Sequence, residues 1–241
     1  MWSVALSAVV SLKLHGGDFS SFFKRTLGFS RRAFVYYLLA PLIVYLALVI
    51  YIAIAIPTGH FDFNQYLNTS YNVLKSVFPT VPKETLRSMV VTSAYLEVTV
   101  ETYIAALTLN ALAALSKELG WRGYLYQQLG FLPTLKNTVT IGTVWGLWHA
   151  PAILLLGYNY SVNRLAGVAL FTLLCITLTY PLLLITKRAN SILPAISMQG
   201  AFNALWPLTL IASSLPVEQR ETLLGLGILG ILSWTLTDLI L

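Results

Sequence analysis

Three short stretches of the chain carry ionisable and amide side chains within apolar surroundings. They read SKELGWRGYL over residues 116–125, WGLWHAP over 145–151 and QGAFN over 199–203. Polar groups in or beside segments that could lie in hydrocarbon are costly and usually serve a function. The residues able to do chemistry are Lys117, Glu118, Arg122, His149, Gln199 and Asn203. This combination of amine, carboxyl, imidazole and amide groups has the make-up of a catalytic constellation.

The composition places these stretches in a membrane protein. Of 241 residues, 57% are hydrophobic and 10% are charged, whereas an ordinary soluble domain has roughly 25% charged residues. Runs near or above the ~20 residues that a helix needs to cross hydrocarbon lie at 33–56, 90–115, 137–156, 165–186, 190–213 and 222–241. We therefore predict an all-α, polytopic transmembrane helical bundle with about six full spans. The apolar run 1–12 predicts a partial N-terminal helix or a surface anchor.

The positive charges predict an orientation. Tracing alternate loops puts ten Lys and Arg residues on the side of Lys187 and Arg188, and five on the side of Arg164. Short cytoplasmic loops carry an excess of such residues, so we expect the first side to be cytoplasmic, in the cell membrane. The net charge of +6 also favours contact with anionic membrane lipids. No nucleic-acid partner is expected, because no basic stripe interleaved with aromatic residues is visible.

A single transmembrane domain is predicted over 1–241, with its core motifs in 116–203. The longest polar connection, about 57–88, is too short for a separate core. Cys175 is the only cysteine, which leaves no disulfide framework and no thiolate metal site. Glu97 and Glu101 form a further pair four residues apart, and we expect them to stay hydrated near the outer interface.

In order and spacing the three stretches resemble the CAAX prenyl protease family of intramembrane endopeptidases, also called CPBP or Abi. That family carries Glu-Glu-x-x-x-Arg, then an aromatic or aliphatic residue shortly before a His, and then His-x-x-x-Asn. The segment 118–125, His149 behind Trp145, and Asn203 match this pattern. The chain departs from it at Lys117, where the family has its first Glu, and at Gln199, where the family has a His.

The resemblance implies peptide-bond hydrolysis by an activated water. The residue at 117 would act as general base with His149, and Arg122 would orient the acidic pair. The oxyanion would be held by Asn203 and the residue at 199. A protonated lysine cannot accept a proton, although Gln199 can still donate through its amide. We therefore expect either impaired hydrolysis of prenylated or membrane-associated substrates, or a catalytically silent relative that binds a peptide or membrane-protein partner.

The same residues also have structural interpretations. Glu118 and Arg122 share a helix face and can form a salt bridge, and Lys117 can extend to the interface. His149 can be a hydrogen-bonded packing residue, and the two amides of the third stretch can bond between helices. A small transporter or channel is a further alternative, but the inverted repeats that would favour it are not visible.

Finally, the polar residues should converge on one cavity, because together they can satisfy one another in lipid. We expect that cavity to open towards the cytoplasm. No cofactor or metal is expected, since catalytic zinc needs about three His or carboxylate ligands and Lys117 adds a repelling charge. His149 should be neutral and bonded to Asn203, Gln199 or water.

Overall fold

The computed structural model describes residues 2–241, and those residues form helices and turns without a strand. The predicted all-α fold is therefore confirmed. The helices are α1 (Trp2–Leu14), α2 (Phe19–Leu27), α3 (Arg31–Leu39), α4 (Pro41–Ala55), α5 (Phe63–Val77), α6 (Lys83–Leu96), π1 (Glu97–Glu101), α7 (Thr102–Leu107), α8 (Leu109–Glu118), π2 (Leu119–Leu125), α9 (Tyr126–Gln128), α10 (Leu135–Trp148), α11 (Ala150–Leu156), α12 (Arg164–Ala189), α13 (Leu193–Leu205), α14 (Leu208–Ile211), α15 (Val217–Leu223) and α16 (Ile228–Ile240).

Five helical stretches are long and apolar enough to cross a membrane. They run from 22 to 26 residues, or about 33–39 Å at 1.5 Å per residue. The protein is therefore an integral membrane protein with a polytopic helical bundle, as predicted. The five stretches are Arg31–Ala55, Lys83–Leu107, Leu135–Leu156, Arg164–Ala189 and Val217–Ile240.

The sixth predicted span, 190–213, is not one continuous helix. α13 ends at Leu205, a turn follows at Trp206 and Pro207, and α14 adds four residues. Proline has no backbone N–H to continue the hydrogen-bond ladder, and its ring clashes with the preceding turn. Most of α13 is buried within the bundle, so its apolar run reflects an internal helix rather than a full crossing.

The predicted span 90–115 is likewise divided. The crossing stretch ends at Leu107, and Thr108 leaves helical geometry with φ −128° and ψ −101°. α8 begins after this break and carries the start of the first motif stretch. Hydropathy alone does not reveal this break, because apolar residues lie on both sides of it.

Two glycines let the motif-bearing helices approach closely. A Cβ added to Gly146 of α10 would lie 2.5 Å from the Thr172 Cα of α12. One added to Gly200 of α13 would lie 2.7 Å from the Ala106 carbonyl oxygen of α7. Small residues at such crossings allow close packing between membrane helices, and here they bring the second and third motif stretches against their neighbours.

The N-terminal helix α1 packs against π2 rather than lying free on a surface. The hydroxyls of Ser11 and Tyr124 are 2.8 Å apart, and a Cβ on Gly120 would lie 2.4 Å from the Val4 side chain. Helix α1 therefore covers the first motif stretch.

Candidate active site

The first motif stretch lies where helix α8 widens into the π-helix π2. Such π segments are rare and often occur at functional sites. The Arg122 Nη1 group donates to Glu118 Oε1 at 3.2 Å, and both side chains are fully buried. The structure thus contains the predicted pair, and it is the only salt bridge within residues 2–241.

Arg122 also connects the first motif stretch to the second. Its guanidinium carbon lies 4.6 Å from the centre of the Trp145 ring, a cation–π contact. Its Nη2 group donates to Thr179 Oγ1 of α12 at 3.3 Å. Arg122 is therefore held by an acid, an aromatic face and a hydroxyl, and it contacts three helices.

His149 lies at the junction of α10 and α11. Its Nδ1 is 3.0 Å from the carbonyl oxygen of Trp145. Because a carbonyl only accepts hydrogen bonds, Nδ1 carries the proton and Nε2 of the neutral ring is the acceptor. Within residues 2–241 the ring bonds to this backbone carbonyl, one helical turn back, and not to Asn203 or Gln199. A bond from Nε2 to water, the third expected partner, stays a prediction.

The third motif stretch forms a pair on α13. Gln199 Nε2 donates to Asn203 Oδ1 at 3.2 Å, as their spacing indicates. Gln199 is buried and its Oε1 has no hydrogen-bond partner, whereas Asn203 is exposed. The amide nitrogen of Asn203 therefore remains available to a bound molecule.

Four of the six motif residues line one cavity of about 180 Å³: Lys117, His149, Gln199 and Asn203. Glu118 and Arg122 are not among the residues that line it, and both are fully buried and paired with each other. An adjacent cavity of about 310 Å³ shares Lys117, His149 and Tyr158 with the first. The remaining wall of the first cavity is apolar, aromatic or amide in character, from Trp145, Tyr158, Asn159, Phe171, Cys175, Leu178, Phe202, Trp206, Pro207, Leu210 and Leu226.

Lys117 is the side chain on which the chemistry of this cavity depends. It is 8% exposed, and within the described residues 2–241 no acceptor or carboxylate lies within bonding distance of its ammonium group. The nearest acid in sequence, Glu118, is already paired with Arg122. The cavity therefore presents an amine and an imidazole, without a carboxylate to serve as base.

These donors do not suit a metal ion. Zinc in a catalytic site takes about three His or carboxylate ligands, and the cavity offers one imidazole beside a cationic side chain. Across residues 2–241 no three His, Cys, Asp or Glu side chains form a cluster of that kind.

The cavity lies towards one end of the bundle. Tyr158 and Asn159, in the loop 157–163 between α11 and α12, border it, while Lys187 and Arg188 lie at the other end of α12. The charge count assigns the Lys187 end to the cytoplasm, so a cavity reached past Tyr158 would face the opposite side. Both the orientation and the cytoplasmic opening stay predictions. The two are compatible only if the cavity is entered by a route other than the one past Tyr158.

A carboxylate that the motifs do not include holds this loop in place. Glu221 of α15 accepts hydrogen bonds from the Ser161 N–H at 2.6 Å, the Ser161 hydroxyl at 2.7 Å and the Asn163 N–H at 2.8 Å. The same loop places the Tyr158 ring parallel to His149, with centres 6.0 Å apart. Sequence reasoning missed Glu221, although an acid directly before an apolar run was a usable signal.

Replacing Glu221 should loosen the loop. In a Glu221→Gln variant, we expect amide hydrogen exchange at Ser161–Asn163 to rise by about 10- to 100-fold, because bonds to a charged acceptor contribute roughly 1.5–3 kcal/mol. Hydrogen-exchange mass spectrometry measures this directly. Glu218→Gln, an exposed acid on the same helix, is the matched control. Equal exchange in both variants would show that the carboxylate does not hold the loop.

Glu97 and Glu101 do not approach the cavity. Both lie in π1, where Glu97 Oε2 accepts a 2.5 Å hydrogen bond from the Tyr66 hydroxyl. Glu101 is exposed. Neither acid therefore replaces the missing base at position 117.

Comparison with known proteins gives two matches. Residues 99–205 match the family model described as Type II CAAX prenyl endopeptidase Rce1-like, a range that includes all six motif residues. A stretch of 62 residues is 39% identical to CAAX prenyl protease 2 of Methanococcus maripaludis. That alignment covers 25% of this chain and 23% of the relative, so it spans about a quarter of the relative's length. No solved structure matches the chain.

Proposed function

We propose that the cavity of this chain binds a peptide or prenylated-protein segment in the cell membrane without efficient hydrolysis, since residues 99–205 match the Rce1-like CAAX prenyl endopeptidase family. The observation that carries the proposal is Lys117 on the cavity wall beside His149. Glu118, the acid next to it in sequence, is paired with Arg122 and does not line the cavity.

Hydrolysis would require a group that takes a proton from water. His149 Nε2 is free to accept one, but the resulting imidazolium would share the cavity with the Lys117 ammonium. Two unit charges about 4 Å apart repel by about 4 kcal/mol at an effective dielectric constant of 20. In place of a carboxylate that would stabilise the imidazolium, this cavity offers a charge that opposes it.

One observation favours a second candidate, an active endopeptidase with lysine as base. Lys117 is buried without a counter-ion, and burial favours the neutral form of an amine. A neutral Lys117 could accept the proton that the carboxylate accepts elsewhere. This candidate makes the opposite prediction about cleavage, so one experiment separates the two.

We expect the purified protein in lipid nanodiscs to bind a fluorescent prenylated peptide saturably without cleaving it above background. Fluorescence anisotropy measures binding, and mass spectrometry of the same samples measures cleavage. His149→Ala should weaken binding, whereas His15→Ala, an exposed residue outside the cavity, should not. Cleavage abolished by His149→Ala would establish the active endopeptidase instead, and a lack of binding would contradict the proposal.

A further inference from the structure

The charges around the cavity do not balance. Glu118 contributes −1 and Arg122 contributes +1, and the two are paired at 3.2 Å. Lys117 adds a further +1 while being 92% buried. A charge buried without a partner is strongly destabilising, so the site favours either a neutral amine or a bound anion beside Lys117.

The cavity provides further features that suit an anion attached to an apolar body. Asn203 lines the same cavity as Lys117, and its amide oxygen accepts from Gln199 Nε2, which leaves its amide nitrogen to donate. Much of the remaining lining is apolar, with Phe171 and Leu226 among its residues. A ligand with one polar end and an apolar remainder matches this division.

We propose that Lys117 binds the free carboxylate of a ligand whose apolar part occupies the rest of the cavity, an inference that rests on the proposed binding function of the same cavity. A carboxylate carries one negative charge, which the single positive charge of a lysine ammonium balances. A phosphate would bring close to two charges at neutral pH and is better matched by the planar fork of arginine. No arginine is among the residues that line either cavity.

The size of the site agrees with this assignment. The two adjoining cavities measure about 180 and 310 Å³ and share Lys117 at their junction. Together they lie within the range of about 300 to 1,000 Å³ that is usual for small-ligand sites. A carboxylate followed by a few apolar groups fits, either as the C-terminal residues of a peptide or as the end of a fatty acid.

The test compares ligands that differ only in the terminal group. The prenylated peptide is prepared with a free C-terminus and as its C-terminal amide, and hexadecanoic acid is compared with hexadecanol. We expect the unmodified protein to bind the acid of at least one pair about 10- to 100-fold more tightly than the neutral ligand. This ratio corresponds to the free energy of one charge-assisted hydrogen bond. The pair that shows the preference identifies the source of the carboxylate.

Variants assign the preference to Lys117. Lys117→Met should bind acid and neutral ligand within about twofold of each other, with affinity for the neutral ligand retained. Lys117→Arg, which keeps the charge, should retain a preference for the acid. Lys136→Met, an exposed lysine away from the cavity, should behave like the unmodified protein. Retained thermal unfolding temperature checks that each variant is folded.

The outcomes separate this inference from the proposed function. Equal affinity for acid and amide in the unmodified protein would overturn the role of Lys117 and leave peptide binding intact. A preference that survives in Lys117→Met would also overturn it. Failure of every ligand to bind would contradict both proposals.

Discussion

The double variant Lys117→Glu/Gln199→His should cleave a prenylated peptide at least about 10²-fold faster than the unmodified chain. A positioned general base contributes typically 10²–10⁴-fold, and one oxyanion donor contributes roughly 10²–10³-fold. Both positions line the cavity with His149, so the new groups would face the same bound peptide. Each single change should recover much less, because residues that act as one catalytic unit are strongly non-additive.

The local charges support this expectation. At position 117, Lys→Glu changes the charge beside His149 from +1 to −1, so it introduces a base and also stabilises the imidazolium. Gln199 already donates through Nε2 to Asn203, and an imidazole at this position can donate into the cavity instead. Arg122 stays paired with Glu118, and its charge remains close enough to limit repulsion between neighbouring acids.

The controls separate restored chemistry from a change in charge. Lys117→Met removes the cation without adding a base, and it should gain no cleavage. Adding His149→Ala to the double variant should abolish whatever activity was gained. If the unmodified chain cleaves the peptide as fast as the double variant, Lys117 is itself a competent base and the proposed loss of hydrolysis is wrong.

The sequence was sufficient to predict the fold class and to predict that four motif residues lie around one cavity. Five spans follow from apolar length, which is a local property of the chain. Lys117, His149, Gln199 and Asn203 line one cavity because polar side chains in apolar helices satisfy one another or face a water-filled space. Their catalytic roles stay predictions, since position alone does not establish chemistry.

The errors arose where local geometry overrides composition. The span 190–213 is interrupted at Trp206 and Pro207, because a proline ends a helix that hydropathy would continue. His149 bonds to a backbone carbonyl, and carbonyl positions are not visible in side-chain patterns. Glu221 holds a loop about 60 residues away in sequence, a long-range contact that no local pattern encodes.

Breaking the buried Glu118–Arg122 pair should cost more stability than any other single change considered for this protein. In Arg122→Met the Glu118 carboxylate would remain fully buried without its only ion-pair partner, and removing one member of such a pair costs about 3–5 kcal/mol. The same variant loses the contact with the Trp145 ring. The free energy of unfolding, measured by denaturant titration in detergent, gives the effect.

The double variant Glu118→Met/Arg122→Met decides what the pair contributes. Replacing both charges with apolar groups of similar size is often neutral or stabilising, so we expect it to recover most of the stability that Arg122→Met loses. Recovery would show that each charged side chain of the pair contributes to stability mainly by neutralising the other. A double variant no more stable than Arg122→Met would instead assign the loss to the bonds of Arg122 with Thr179 and Trp145.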